Sequence, residues 1–297
     1  MFYYSKEPIT IDQAIEMAPC LTATPHTTRS DRYQHVPTTD VLSALMREGF
    51  KIHGLTAANP RQKDRVGFQK HLLRLRRPSD NWDKKRAPEL LLINSHDGSC
   101  SYQLMGGIIE FVCSNGLILG DNWTSVRIRH KGLHPIDQVI DASYKVVEEF
   151  DYVQDAVAHM QETKLDTDAQ LKFAEAALIT RYGTDKDKIP VEPDAINHAR
   201  RNEDRNNSLW ATYNRVQENM IRGGLSGEIT ATNGKRRKTK LREVKGIDQS
   251  IRLNQSLFTL AEKYADLASA NDDRIAKPSV LANLINPNMG QQVAVAA

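Results

Sequence analysis

Cysteine is scarce in this chain of 297 residues: Cys20, Cys100 and Cys113 form an odd and widely spaced trio, which argues against the disulfide framework of a small secreted domain. Long apolar runs are missing too. Nothing approaches the roughly 18 apolar residues of a membrane span, and Met1 to Pro8, with Lys6 and Glu7, lacks the apolar stretch that a signal peptide needs. These absences predict a cytoplasmic protein with no membrane partner. Also missing are a Walker-type phosphate loop, a nucleophile elbow and a dinucleotide fingerprint, since Gly106-Gly107 and Gly223-Gly224 lack the flanking spacing those motifs require. No cofactor is expected, and the mechanism narrows to passive binding or metal chemistry.

What is present is enough for a globule. An apolar content of 40% with a mean hydropathy of -0.53 describes a folded chain with hydrophilic margins. The formal net charge of +3 is small, but the charge is unevenly spread. Between Arg61 and Arg86 stand ten cations against three acids, a local net of +7. Lys235 to Lys245 holds seven cations against Glu243, and the compensating acids crowd into Asp137 to Asp168, where nine carboxylates face only Lys145 and Lys164.

The pattern predicts an α+β fold: an antiparallel β-sheet with a β-β-β-α type core packed on a long helix, followed by an all-helical C-terminal part. Residues 1–39 read as an extended N-terminal segment, 40–165 as the α+β core domain, 166–285 as the helical region and 286–297 as a frayed tail. Thr39 or Asp40 is expected to cap a short helix stopped by Gly49. Phe68 to Arg77 alternates, with Phe68, Lys70, Leu72, Arg74 and Arg76 on one strand face. Leu90 to Ile93 reads as a central strand. Tyr102 to Cys113 reads as another, with Phe111 on its apolar face, a bulge at Gly106-Gly107 and a hairpin turn at Asn115-Gly116; a helix ending at Asn115 is the competing assignment. Val126 to Lys131 forms a second basic strand. Pro135 opens a long helix running to Val157, and helices capped by Thr167 and Ser208 follow, then a last helix over Ile247 to Leu267.

Two alternating basic strands place cations about 6 to 7 Å apart along each strand, a spacing suited to a phosphate backbone, with Phe68 or Tyr102 available to stack on bases. The expected nucleic-acid-binding residues are Arg65, Phe68, Lys70, Arg74, Arg76, Arg77, Lys84, Lys85, Arg86, Arg127, Arg129 and Lys131, with Lys235, Arg236, Arg237 and Lys238 from the second tract. The competing explanation is a solvated sheet face that avoids edge-to-edge association. His96, Asp97 and His130 invite a metal-dependent nuclease reading, but two histidines and one aspartate make an incomplete shell. Asp97-Gly98 is equally an ordinary turn. Cys100 and Cys113 supply no Cys-x-x-Cys pair to complete a zinc site, so no metal is expected.

The strings Asn94-Ser95-His96-Asp97-Gly98-Ser99, Val112-Cys113-Ser114-Asn115-Gly116-Leu117 and Arg129-His130-Lys131-Gly132 resemble the signature of the plasmid- and prophage-borne phage/plasmid-like family, the domain of unknown function numbered nine hundred and thirty-two. Leu209-Trp210-Ala211-Thr212-Tyr213-Asn214, Gln217-Glu218-Asn219 and Arg222-Gly223-Gly224 are similar to it as well. The resemblance spans about residues 20–268 and implies a mobile-element address. The element order is also similar, at fold level alone, to the β-β-β-α core of single-strand annealing proteins. Together these features make the expected function single-stranded DNA binding and ATP-independent strand annealing by a homo-oligomer, assisting recombination or establishment of a mobile element. A host-protein partner, engaged through the acidic segment as an anti-restriction factor, and a metal-dependent nuclease are the alternatives.

Overall fold

The computed structural model describes residues 2–24, 35–60, 62–78, 85–110, 115–120, 123–128, 134–231 and 233–285. The chain divides into two compact units, Met1–Asp151 and Tyr152–Ala297.

The first unit is built on an antiparallel sheet. Its strands are β1 (Phe2–Ile9), β2 (Lys51–Ala57), β3 (His71–Arg76), β4 (Arg86–Asn94) and β5 (Tyr102–Glu110), followed by β6 (Asn115–Ile118) and β7 (Ser125–Ile128). Strands β1 to β5 pair in sequence order, and β6 and β7 share β5 as partner, one beside Gly107–Glu110 and the other beside Tyr102–Met105. The helices α1 (Ile11–Met17), α2 (Thr38–Arg47) and α3 (Pro135–Val147) supply the covering layer. Val41, Leu42 and Leu45 of α2 and Val139, Ala142 and Val146 of α3 form one cluster with Leu73, Leu75, Leu90, Leu92 and Leu104 of the sheet. Each Å² of apolar surface this layer removes from water stabilises the unit by about 25 cal/mol.

Several local expectations need correction. Up to residue 24 the N-terminal segment is more than extended chain. It contributes β1 and α1, and its Ile9, Ala14, Cys20 and Leu21 are buried. Helix α2 starts at Thr38 rather than behind Thr39 or Asp40, and its N-cap, Pro37, has no side-chain acceptor to cap it. Gly106-Gly107 makes no bulge: the β4–β5 register runs through it unbroken. The glycines are needed for space, since a Cβ on Gly106 would lie 2.4 Å from Leu119 Cδ1 and one on Gly107 2.9 Å from the Leu117 carbonyl. Asn115-Gly116 is not the turn but the start of β6, paired with Glu110 and Ile109. The turn itself, with Phe111 and Cys113, falls on residues 111–114, outside the described residues. The long helix is two, α3 and α4 (Phe150–Glu162). Between them Glu149 accepts hydrogen bonds from the Thr124 amide at 2.7 Å and the Thr124 hydroxyl at 2.5 Å.

The second unit is helical apart from a two-stranded ribbon. It contains α5 (Thr167–Tyr182), α6 (Pro193–Asn197), α7 (Leu209–Arg222), α8 (Ile247–Ser269) and α9 (Pro278–Ile285), with β8 (Ser226–Thr230) pairing β9 (Arg236–Lys240). Asp166 rather than Thr167 caps α5, accepting from Ala169 N, while Ser208 caps α7 as expected. Helix α7 is buried on nearly all sides, polar residues included. They hold the irregular segment before it: Arg215 donates to Asn197 Oδ1, the Asp204 and Asn206 carbonyls and Gln170 Oε1, and Asn219 to the Ile196 and His198 carbonyls. The Gln217-Glu218-Asn219 string is therefore a structural clamp, with Glu218 taking Arg201 and Arg222 and Gln217 taking Asn254. Such a network is stable only when nearly complete.

Candidate nucleic-acid interface

Alternation carries Leu72, Arg74 and Arg76 of β3 to the sheet face opposite the helices, but that face is not open. Leu91, Ile93, Met105 and Ile109 on the same side are buried, and Arg74 and Arg76 are 8% and 5% exposed. Their charge is answered from β4, whose register sets Glu89 opposite Arg76 as Leu90 faces Leu75. Arg74 Nη1 lies 2.6 Å from Glu89 Oε2, and Arg76 Nε 3.9 Å from Oε1. Arg74 also donates to the Gly116 carbonyl at 3.1 Å, and Arg76 to the Lys6 carbonyl at 3.2 Å and to His53 Nδ1 at 2.5 Å.

A sheet must curl for Arg74 on β3 to reach β6. Glycine makes the approach possible, because a Cβ on Gly116 would meet the Arg74 guanidinium at 2.4 Å. Burial, and then Arg76, pushes His53 down to about 4, consistent with a neutral ring accepting from the guanidinium. Burial and then Glu89 raise the Tyr4 phenol above its ordinary value. The two arginines thus act as a cross-brace between strands, and the expectation of a solvent-facing cationic row is corrected at both. Tyr102 is corrected likewise: it is fully buried and donates to the Val36 carbonyl at 2.8 Å.

The other sheet-unit candidates divide. Arg127 and Lys85 are exposed, Lys70 and Phe68 half-buried. Arg77 lies over the Phe50 ring at 5.2 Å, and Arg86 lies 3.9 Å from Glu110. Lys84, Arg129, Lys131 and His130 fall outside the described residues. Arg65 donates to Asp97 Oδ2 at 3.2 Å, and Asp97 Oδ1 accepts from Ser99 N at 2.9 Å. Burial alone would raise the Asp97 carboxyl, but hydrogen bonds from Ser99, Ser95 and Arg65 outweigh it and hold the group below its ordinary value.

His96 turns inward instead. It shares the Thr38 hydroxyl with His71 and Asn94, at 3.1, 2.9 and 3.1 Å. Because the Gln69 carbonyl accepts from His71 Nδ1 at 3.1 Å, His71 Nε2 must accept from Thr38, whose oxygen then accepts from Asn94 and His96. Burial pushes His71 down to about 4, in keeping with a neutral ring. Cys20 sits 3.8 Å from His71 Nδ1, with burial pushing its thiol up to about 11, which leaves a poor nucleophile. Among the described residues no group of three or more His, Cys, Asp or Glu side chains could hold a metal ion, and none of the helices is long and apolar enough to cross a membrane.

In the second unit Lys235, Arg236, Arg237 and Lys238 are exposed, and so are Lys240, Arg242 and Lys245 of the same tract, which were not among the expected binding residues. Within the tract, Arg236–Lys240 form strand β9. Period two carries Arg236, Lys238 and Lys240 to one face of β9, opposite Thr230, Glu228 and Ser226 of β8. On the other face a Cβ at Gly227 would sit 2.0 Å from the Pro190 carbonyl, so the ribbon packs closely there and leaves the face with the three cations outward. Arg236 pairs with Glu228 at 2.9 Å at the surface. No alternation marks β9 in the sequence, because four of its five residues are cations and none is apolar.

The model of the domain of unknown function DUF932 matches residues 25–258. The chain belongs to the DUF932 family. As a DUF932 protein it is also similar to two proteins of Escherichia coli strain K12, the UPF0380 proteins YafZ and YfjQ. Each is 40% identical over 256 residues, covering 86% of this chain and 91% of the relative. No solved structure matches.

Proposed function

We propose that this chain is a single-stranded DNA-binding protein that promotes strand annealing without ATP, in the service of a mobile element, and that its main phosphate contact is the β8–β9 ribbon. The observation that carries this reading is the exposed row of Arg236, Lys238 and Lys240, with Lys235, Arg237, Arg242 and Lys245 beside it. Cations two residues apart on a strand stand about 6.6 Å from one another and neutralise successive phosphates while releasing counterions. Annealing then needs only that strands be gathered and extended, since base pairing supplies the free energy.

The test mixes complementary oligonucleotides carrying a fluorophore and a quencher with the protein, without ATP, with and without chelator. Pairing accelerates, chelator has no effect and the strands stay full length. Replacing Arg236, Lys238 and Lys240 together by alanine lowers the slope of log affinity against log salt by about 2, at roughly 0.7 per phosphate contact on a single strand. Binding that ignores salt overturns the reading. Absence of DNA binding directs attention to a host-protein partner, and strands shortened only without chelator direct it to a nuclease.

A further inference from the structure

We propose that the loop joining β2 to β3 carries a base wedge, with Val66 inserting between neighbouring bases of a bound strand while Lys63 and Arg65 hold the flanking phosphates; this rests on the nucleic-acid reading above. The hairpin connection runs over residues 58–70, well beyond the usual two to five of a hairpin loop, and long loops of this kind are commonly functional. Its tip is fixed. Hydrogen bonds from Val66 N to the Lys63 carbonyl and from Phe68 N to the Arg65 carbonyl fold the turn, and Gly67 at φ +92 closes it.

The Asn94–Ser99 signature loop clamps it from the side through Arg65–Asp97 at 3.2 Å and His96 N to the Phe68 carbonyl at 3.1 Å. At the tip Val66 is 62% exposed. A lone exposed aliphatic residue on a flat surface needs no explanation. This one is held at an apex with Lys63 and Arg65 preceding it, Asp64 between them and Arg65 steadied by Asp97. An apolar residue presented beside phosphate-binding cations is an arrangement by which proteins unstack base steps. The signature residues His96 and Asp97 then serve as positioning residues, setting the direction of the tip.

The experiment uses the full chain and a single-stranded oligonucleotide containing 2-aminopurine, whose fluorescence rises when it is unstacked. Wild type raises the fluorescence on binding. Val66→Ser keeps the melting temperature and the salt slope near wild type and loses most of the rise, while Val66→Leu restores it. A wild-type rise in Val66→Ser, or binding by wild type with no rise, overturns the wedge and leaves the proposed function standing. Failure of the wild-type protein to bind at all overturns the proposed function first, and the wedge with it.

Discussion

The strands β3 and β9 are both basic and have opposite fates. In β3 the sequence His71-Leu72-Leu73-Arg74-Leu75-Arg76 sets arginines among leucines, and every residue is buried. In β9 the sequence Arg236-Arg237-Lys238-Thr239-Lys240 has no apolar partner positions, and all four cations are exposed. The comparison teaches that alternating charge does not by itself mark a binding face. An arginine enters a sheet interior when a carboxylate and backbone carbonyls are waiting for it, as Glu89, Gly116 and Lys6 are here.

The largest expected effect follows from removing that carboxylate. Glu89→Ala leaves Arg74 and Arg76 buried without their counter-charge, and breaking a buried pair in this way costs about 3–5 kcal/mol, read as a large drop in the urea midpoint. A variant that unfolds like wild type breaks the comparison, because the guanidiniums must then reach water and return as candidates for binding phosphate.

An intermediate effect comes from pH. Folded His71 and His53 refuse protons down to about 4, whereas the unfolded chain takes them up near 6.5. Their contribution to stability is complete above 6.5 and is lost as pH falls through the window from 6.5 to about 4. Thermal melts at steps between pH 7.5 and 4.5 should show a falling Tm, and Thr38→Val should lower Tm at every step by stripping the shared hydroxyl from His71, His96 and Asn94. A flat profile would mean that both rings are reachable from solvent, against the buried side of the comparison.

The smallest stability effect sharpens the contrast. Arg236→Ala, Lys238→Ala or Lys240→Ala should each change stability by no more than about 0.5 kcal/mol, since the exposed Arg236–Glu228 pair contributes little. Under the proposed function the same substitutions should weaken salt-dependent binding. A protein that loses stability here and keeps its salt slope would reverse the roles assigned to β3 and β9.

Much of the fold could be read in advance where one periodicity spoke alone. The α2 stripe of Val41, Leu42 and Leu45, the central run Leu90 to Ile93, and the Ser208 cap with Gly223 closing α7 all lie in elements of the expected type. Reading went wrong where a side chain had a distant partner. Thr38 could not be seen as a hub from its neighbours in sequence, because His71, Asn94 and His96 come from β3, β4 and the turn beyond it. Asn115-Gly116 has the composition of a turn, but its glycine is required by the Arg74 guanidinium lying against it.

The sequence by itself determined the class of fold, the family signature and the two basic tracts, since these depend on local pattern and composition. Only the tertiary structure decided which cations are available. Curling of the sheet closed Arg74 and Arg76 around Glu89, and close packing at Gly227 turned the other face of β9 outward. The physical reason is that a charge's fate depends on the dielectric and the partners that folding assembles around it, and strands remote in sequence supply both.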